Sequence, residues 1–182
     1  MYKRQLRGQA EKLAFLMEAL VKSSRLGAGV LTLSPSLHPI QPLLEDAAAQ
    51  GAAAAAEKGI SLSVLPCAGS ARFDAKWTSE ALFNVVDNAL KYTPPGGSVT
   101  LSAERYELFC RIRVTDSGPG IPEEEQAQIF SRFYRGAAVR DQDGLGLGLY
   151  LTRRILIRQG GYLRLSSRPG QGSEFSLYLP LE

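Results

Sequence analysis

One helix constrains this chain more than any other stretch. Leu82, Val85, Val86, Ala89 and Leu90 recur at helical spacing, and Pro94-Pro95-Gly96-Gly97 stops the helix they define. Asn84 and Asn88 stand four apart and so project from one face, one turn apart. Amides on an inward face need something polar to meet them. Lys91 and Tyr92 extend the polar patch to the helix end. An amide oxygen is a hard ligand of the kind magnesium accepts beside waters and substrate phosphates, and a lysine meets phosphate as a point charge. The other reading is a helix with two capped or solvated asparagines.

Around this helix, 182 residues suit one domain with an appendage, and 45% apolar residues suffice for a packed core. The net charge of +3 is local: residues 1–26 hold six basic and two acidic side chains, and the remainder 15 and 16. Such a balance demands no nucleic-acid surface. Cys67 and Cys110 lie far apart and match no metal spacing, so reduced thiols are expected. No apolar run approaches the roughly 18 residues of a membrane span, and no signal-peptide pattern opens the chain. Both observations are compatible with a soluble part of a larger membrane protein.

Taken in order, Leu6, Ala10, Leu13, Met17, Leu20 and Ser24 form a heptad seam across residues 2–26, widened by Leu16 and Val21. Gly27 and Gly29 cut it off, which favours a helix pairing outside the domain over one packed on it. Val30–Leu33 reads as a short strand and Pro39–Lys58 as a helix ended by Gly59, with Gly51 a local cost in its alanine tract. Ile60–Leu65 and Ala71–Asp74 are strand candidates. Ser98–Ala103 and Leu108–Thr115 alternate like paired antiparallel strands. Pro122–Phe130 predicts a short helix with acids in its first turn. Leu147–Gln159 predicts another, ended by Gly160-Gly161, and Tyr162–Ser166 and Ser173–Leu179 predict final strands. The pattern is α+β: a two-layer sandwich with helices on one face of a mixed sheet, preceded by one long helix.

Two glycine clusters flank these elements. Asp116-Ser117-Gly118-Pro119-Gly120-Ile121 follows a strand directly. Its glycines allow a tight turn and a close approach to ligand, and the Asp116 carboxylate, an acceptor only, matches a donor such as an adenine amine. The alternative is a simple Asp-Gly turn. Gly144-Leu145-Gly146-Leu147-Gly148-Leu149 leads into a helix, where freed backbone amides make an anion site. Its G-x-G-x-G spacing is neither the dinucleotide fingerprint nor a P-loop. The polar segment Arg135–Asp143 before it suits a mobile lid. Ile129–Arg135 sets three aromatics and two arginines beside the expected phosphate site, and Gly170–Phe175 is a last glycine-rich turn.

In this order, Asn84–Pro94, Asp116–Gly120, Phe130–Arg135, Gly144–Leu149 and Gly170–Phe175 resemble the N, G1, F, G2 and G3 boxes of the catalytic, ATP-binding domain of sensor histidine kinases. The resemblance covers about residues 30–182. It implies the Bergerat (GHKL) fold: a sheet of about five strands backed by three helices, with ATP between helices and lid. It implies Asn88 on magnesium with Asn84 in support, and Lys91, Tyr92 and Arg135 facing the phosphates, Lys91 and Arg135 as catalytic electrostatics. Asp116 would accept from the adenine amine, with Ser173 close by. Gly118, Gly120 and Ile121 would line the nucleotide, and Gly144, Leu145, Gly146, Leu147 and Gly148 would pass the lid backbone along the triphosphate. Residues 1–28 resemble the second helix of the family's dimerisation hairpin, leaving 29–182 as the catalytic domain. The first helix, with its phosphoacceptor histidine, has no counterpart. His38, the one histidine, lies outside any candidate helix and precedes a proline, which suits a capping-loop or surface role. The implied parent is a homodimeric kinase anchored in the bacterial membrane with this domain in the cytoplasm. It would phosphorylate its own dimerisation histidine and serve a response regulator. Relatives that hydrolyse ATP place a glutamate where this chain has Asn84, an amide without useful basicity. An anti-sigma serine kinase or a docking module without activity are the remaining alternatives.

Overall fold

The computed structural model describes residues 32–136 and 145–182, together with Met17 and Val21. Asp74 opens the asparagine helix α2 (Ala75–Tyr92), because its carboxylate accepts from the Trp77 N–H at 3.0 Å and also from the Ser34 N–H at 2.9 Å. The helix ends where Thr93 turns extended ahead of Pro94. Its apolar face is buried: Leu82, Val85 and Val86 are fully enclosed. Truncating any one of them to alanine would cost about 1–5 kcal/mol, most for Leu82.

The partner of that face is a five-stranded sheet in the order β2-β4-β5-β7-β6. Its strands are β2 (Ser61–Val64), β4 (Ser98–Arg105), β5 (Phe109–Asp116), β6 (Tyr162–Ser167) and β7 (Ser173–Pro180). β2 pairs with β4 in parallel and the other neighbours are antiparallel, so the sheet is mixed. Strand alternation aims Val99, Leu101, Ile112, Val114, Leu177 and Leu179 at the helices. Helices α1 (Ile40–Lys58), α2 and α4 (Gly148–Arg158) cover that one face. Gly51, a cost by propensity, has a packing reason: a Cβ there would lie 2.7 Å from Leu90 Cδ1, so its absence lets α1 approach α2. α2 and α4 run against each other. Gln159 Oε1 accepts from the Asp74 N–H and from Thr78 Oγ1, and the Thr152 hydroxyl donates to the Ala81 carbonyl at 3.1 Å. A second cluster of Ala81, Leu147, Leu151 and Ile155, with Trp77 and Leu145 against it, fills the gap between them.

Three expectations change. Leu33 is not in a strand; β1 is Ser36–Pro39, which pairs antiparallel with β3 (Ser70–Phe73) in a small separate sheet. Apolar, β-branched composition pointed to Val30–Leu33, but a strand forms where a partner edge exists. His38 belongs to β1 rather than to a capping loop; it is half-buried at the surface, its ring 5.1 Å from that of Phe73 and its Nε2 sharing an exposed 2.8 Å hydrogen bond with Ser36 Oγ. Pro122–Phe130 is not one helix: α3 (Glu123–Gln126) stops and a single tighter turn, Gln128–Phe130, follows. The Gln126 side chain donates to the Ile121 and Ser167 carbonyls, holding the short helix to the β6 end. The heptad seam lies outside the described residues except for Met17 and Val21, both exposed, and the lid, Arg135–Asp143, lies outside them from residue 137 to its end.

Candidate functional site

The C-terminal half of α2 forms the floor of the candidate site. Asn84 and Asn88 are half-buried on its site-facing side. Asn84 meets the start of α4: a Cβ on Gly148 would sit 3.6 Å from Asn84 Cγ. Its Nδ2 is buried without a hydrogen-bond partner among the described residues. A desolvated amide N–H costs about 1–3 kcal/mol when unmet, a deficit a polar ligand would remove. At the helix end, Lys91 Nζ lies 5.4 Å from the Tyr92 ring centroid. Burial raises the Tyr92 pKa, which the nearby Arg135 guanidinium partly offsets, so Arg135 reaches the same end of the site. Desolvation likewise raises Asp87, with Lys91 opposing it, although its outer edge is open to solvent.

Asp116 ends β5, flanked in register by Val99 and Ser173. Its carboxyl is pushed up by burial, against which the Gly118 and Ser173 backbone N–H groups favour the charged form. The Gly118 N–H donates to Oδ1 at 2.8 Å. Space around this carboxylate is made by glycines. A Cβ on Gly118 would lie 2.7 Å from Oδ1, and one on Gly172 would collide with the Asp116 carbonyl. Gly172 also has φ +79, open to few other residues.

The sequence-predicted residues thus converge in part. Asn84 with Gly148, Tyr92 with Arg135, and Asp116 with Gly118 and Ser173 are brought together. Four assigned residues have their side chains engaged within the protein. Ile121 donates its N–H to Ser167 Oγ at 2.8 Å, and its side chain packs on the main core. The Ser173 hydroxyl bonds Ser167 Oγ at 3.0 Å. Leu145 and Leu147 turn into the second cluster. Gly120 backs onto the Arg168 carbonyl and Gly146 onto the Tyr134 carbonyl, so both glycines hold loops together. The Phe133 N–H donates to the Gly146 carbonyl at 3.0 Å, fastening the aromatic segment to the glycine segment. Gly144 lies outside the described residues. Sequence reasoning passed over Ser167, whose hydroxyl serves Ile121, Gly172 and Ser173 and which no local pattern marks. It also passed over Lys58, which reaches three carbonyls at the end of α2. Among the described residues no cluster of three His, Cys, Asp or Glu could hold a metal; an amide oxygen such as that of Asn88 is a donor type that a hard cation accepts beside phosphate oxygens.

Residues 73–182 match the family model of histidine kinase-, DNA gyrase B-, and HSP90-like ATPases. The sensor protein DivL of Caulobacter vibrioides is 37% identical over 178 residues, 96% of this chain and 22% of DivL. The sensor protein kinase PmrB of Pseudomonas aeruginosa is 35% identical over 179 residues, 97% of this chain and 37% of PmrB. The chain therefore spans well under half the length of these relatives. The solved structure of full-length ShkA in complex with AMPPNP superposes with a TM-score of 0.86 at 31% identity, over 98% of this chain and 38% of that one. Motif geometry and relatives agree, and the chain belongs to the histidine kinase-, DNA gyrase B- and HSP90-like ATPase family as an ATP-binding catalytic domain of sensor histidine kinases.

Proposed function

We propose that this domain binds ATP with magnesium and passes the γ-phosphoryl group to a histidine on the dimerisation segment of its parent kinase. The reading rests above all on the buried, unpartnered Asn84 amide where α2 meets the glycine-started α4. Asn88 would hold the magnesium ion and Asn84 would support it from one turn below. Bound there, the ion neutralises charge on the phosphate oxygens. Lys91, Tyr92 and Arg135 bind and orient the triphosphate from the end of α2 and the edge of the lid, and the Gly144–Gly148 backbone supplies amide donors along it. Asp116 accepts from the adenine amine; the Gly118 and Ser173 N–H groups favour its charged form against the desolvation that raises its pKa. Asn84 holds no proton-accepting group toward water, which favours transfer to an acceptor over hydrolysis. In transfer, the bond from phosphorus to the β-γ bridging oxygen breaks as one to an imidazole nitrogen forms, and ADP leaves.

The parent would be a membrane-anchored homodimer, with the domain on the cytoplasmic side and a response regulator as final acceptor. No helix among the described residues is long and apolar enough to cross a membrane. The test is to incubate the chain with labelled ATP, magnesium and a complete dimerisation domain. Acid-labile, alkali-stable label on that domain is the expected result; release of inorganic phosphate without label would overturn transfer in favour of hydrolysis.

A further inference from the structure

We infer that Lys58, on a helix to which no site residue was assigned, is a positioning residue for the triphosphate end of the site; the inference rests on the ATP-binding reading above. Its Nζ donates to the carbonyls of Leu90 at 2.7 Å, Lys91 at 2.8 Å and Thr93 at 2.9 Å. An ammonium has three N–H donors, and each has an acceptor here. The acceptors are groups a helix end leaves open. α2 cannot close them itself: Thr93 is extended, with ψ 129, so no left-handed glycine folds the chain back over the last turn. Lys58 does so from another helix.

Two consequences concern the ligand. First, Lys91 and Tyr92 sit on the turn whose carbonyls Lys58 grips, so the backbone carrying both is held before nucleotide arrives. The hold continues past the turn. The Gly96 N–H donates to the Gly59 carbonyl at 3.2 Å and the Ser61 N–H to the Gly97 carbonyl at 2.9 Å. Residues 58–61 thus clasp both sides of the Pro94-Pro95 stop. Second, a helix C-terminus carries about half a negative charge. A triphosphate bound by Lys91 and Tyr92 approaches that negative end. The Lys58 ammonium cancels it at the carbonyls themselves, so part of the affinity for phosphate comes from a residue that needs no contact with phosphate.

The test separates positioning from stability. Lys58→Met and Lys58→Arg are compared with the wild type by calorimetric titration with ATP–magnesium and with adenosine, below the unfolding midpoint of every variant. Lys58→Met is expected to weaken ATP about two- to fivefold, and up to about thirtyfold if the partly buried geometry is fully felt, the range set by a charge at a helix terminus, and adenosine less than twofold. Lys58→Arg restores the charge without the same three-point geometry and should recover the larger part of the ATP loss. A Lys58→Met protein that unfolds earlier but keeps the wild-type ratio of ATP to adenosine affinity would reduce Lys58 to a structural cap and overturn the inference. If Lys58→Met does not fold, Lys58→Gln against Lys58→Arg carries the same comparison, with equal ratios overturning it. A wild-type chain that binds no ATP would instead defeat the functional reading on which the inference stands.

Discussion

Asp116 carries the sharpest demands on any single side chain. It is half-buried at a strand end, and burial raises its pKa above the ordinary 3.8 while two N–H groups pull the other way. Two opposite pH trends follow. The empty fold bears the cost of a desolvated carboxylate only when it is charged, so Asp116 contributes most to stability below 3.8 and that contribution is lost as pH rises through the raised value. Adenine recognition needs the charged acceptor and is lost as pH falls through the same window. Acidification should therefore weaken ATP binding more in the wild type than in Asp116→Ala, measured by titration from pH 7 downward. At neutral pH the substitution removes a hydrogen bond to a charged group, about 1.5–3 kcal/mol, or about 10- to 150-fold in ATP affinity. It should also flatten the preference for ATP over GTP, whose O6 acceptor would face the carboxylate. Asn88→Ala should behave differently: the magnesium dependence of binding disappears and the preference for adenine stays. If Asp116→Ala keeps full ATP preference, the base lies elsewhere.

Among the elements, the glycine segment before α4 distinguishes two kinds of glycine. Gly146 has φ +66 and a Cβ there would strike the Tyr134 carbonyl, so Gly146→Ala combines strain with collision and should lower the unfolding midpoint by several degrees. Gly148 has no such φ, and its Cβ would meet Asn84 at ordinary contact distance. Gly148→Ala should fold with equal or slightly greater stability, by up to about 1 kcal/mol; a collapse like that of Gly146→Ala would contradict the placement of Asn84. Both glycines look alike in G-x-G-x-G, which is where legibility ends. The α2 face, the alternating inner strands and the order of the motifs could be read because each depends on periodicity within one segment. β1 could not, because Ser36–Pro39 is a strand only by virtue of β3. The break at Ala127 depends on where Gln126 finds carbonyls across the fold. Lys58 marks only the last residue of a helix ended by Gly59, and nothing local says that its ammonium serves the end of α2.

For the molecule as a whole, the described residues offer no general base at Asn84 and no helical histidine. His38 is paired with Ser36 and set against Phe73. ATP turnover by the isolated chain should accordingly stay close to background, and labelled ATP should leave the chain itself unlabelled; stable acid-labile label on His38 would sink this expectation. The sole tryptophan, Trp77, packs with Leu145 and Leu147 beside the glycine segment. Its fluorescence should shift on addition of ATP–magnesium and report site occupancy without a label. Unchanged emission at saturating nucleotide would mean that the second cluster does not feel the ligand. The two helices bordering the site touch through Gln159 with Thr78, Thr152 with Ala81, and Gly148 with Asn84. Hydrogen bonds join the first two pairs and only van der Waals contact the third. α2 and α4 are in effect a pair of tongs, riveted by hydrogen bonds at Gln159 and Thr152 and meeting at Asn84 and Gly148 without one, so the end left without a rivet is the one that carries the unpartnered Asn84 amide.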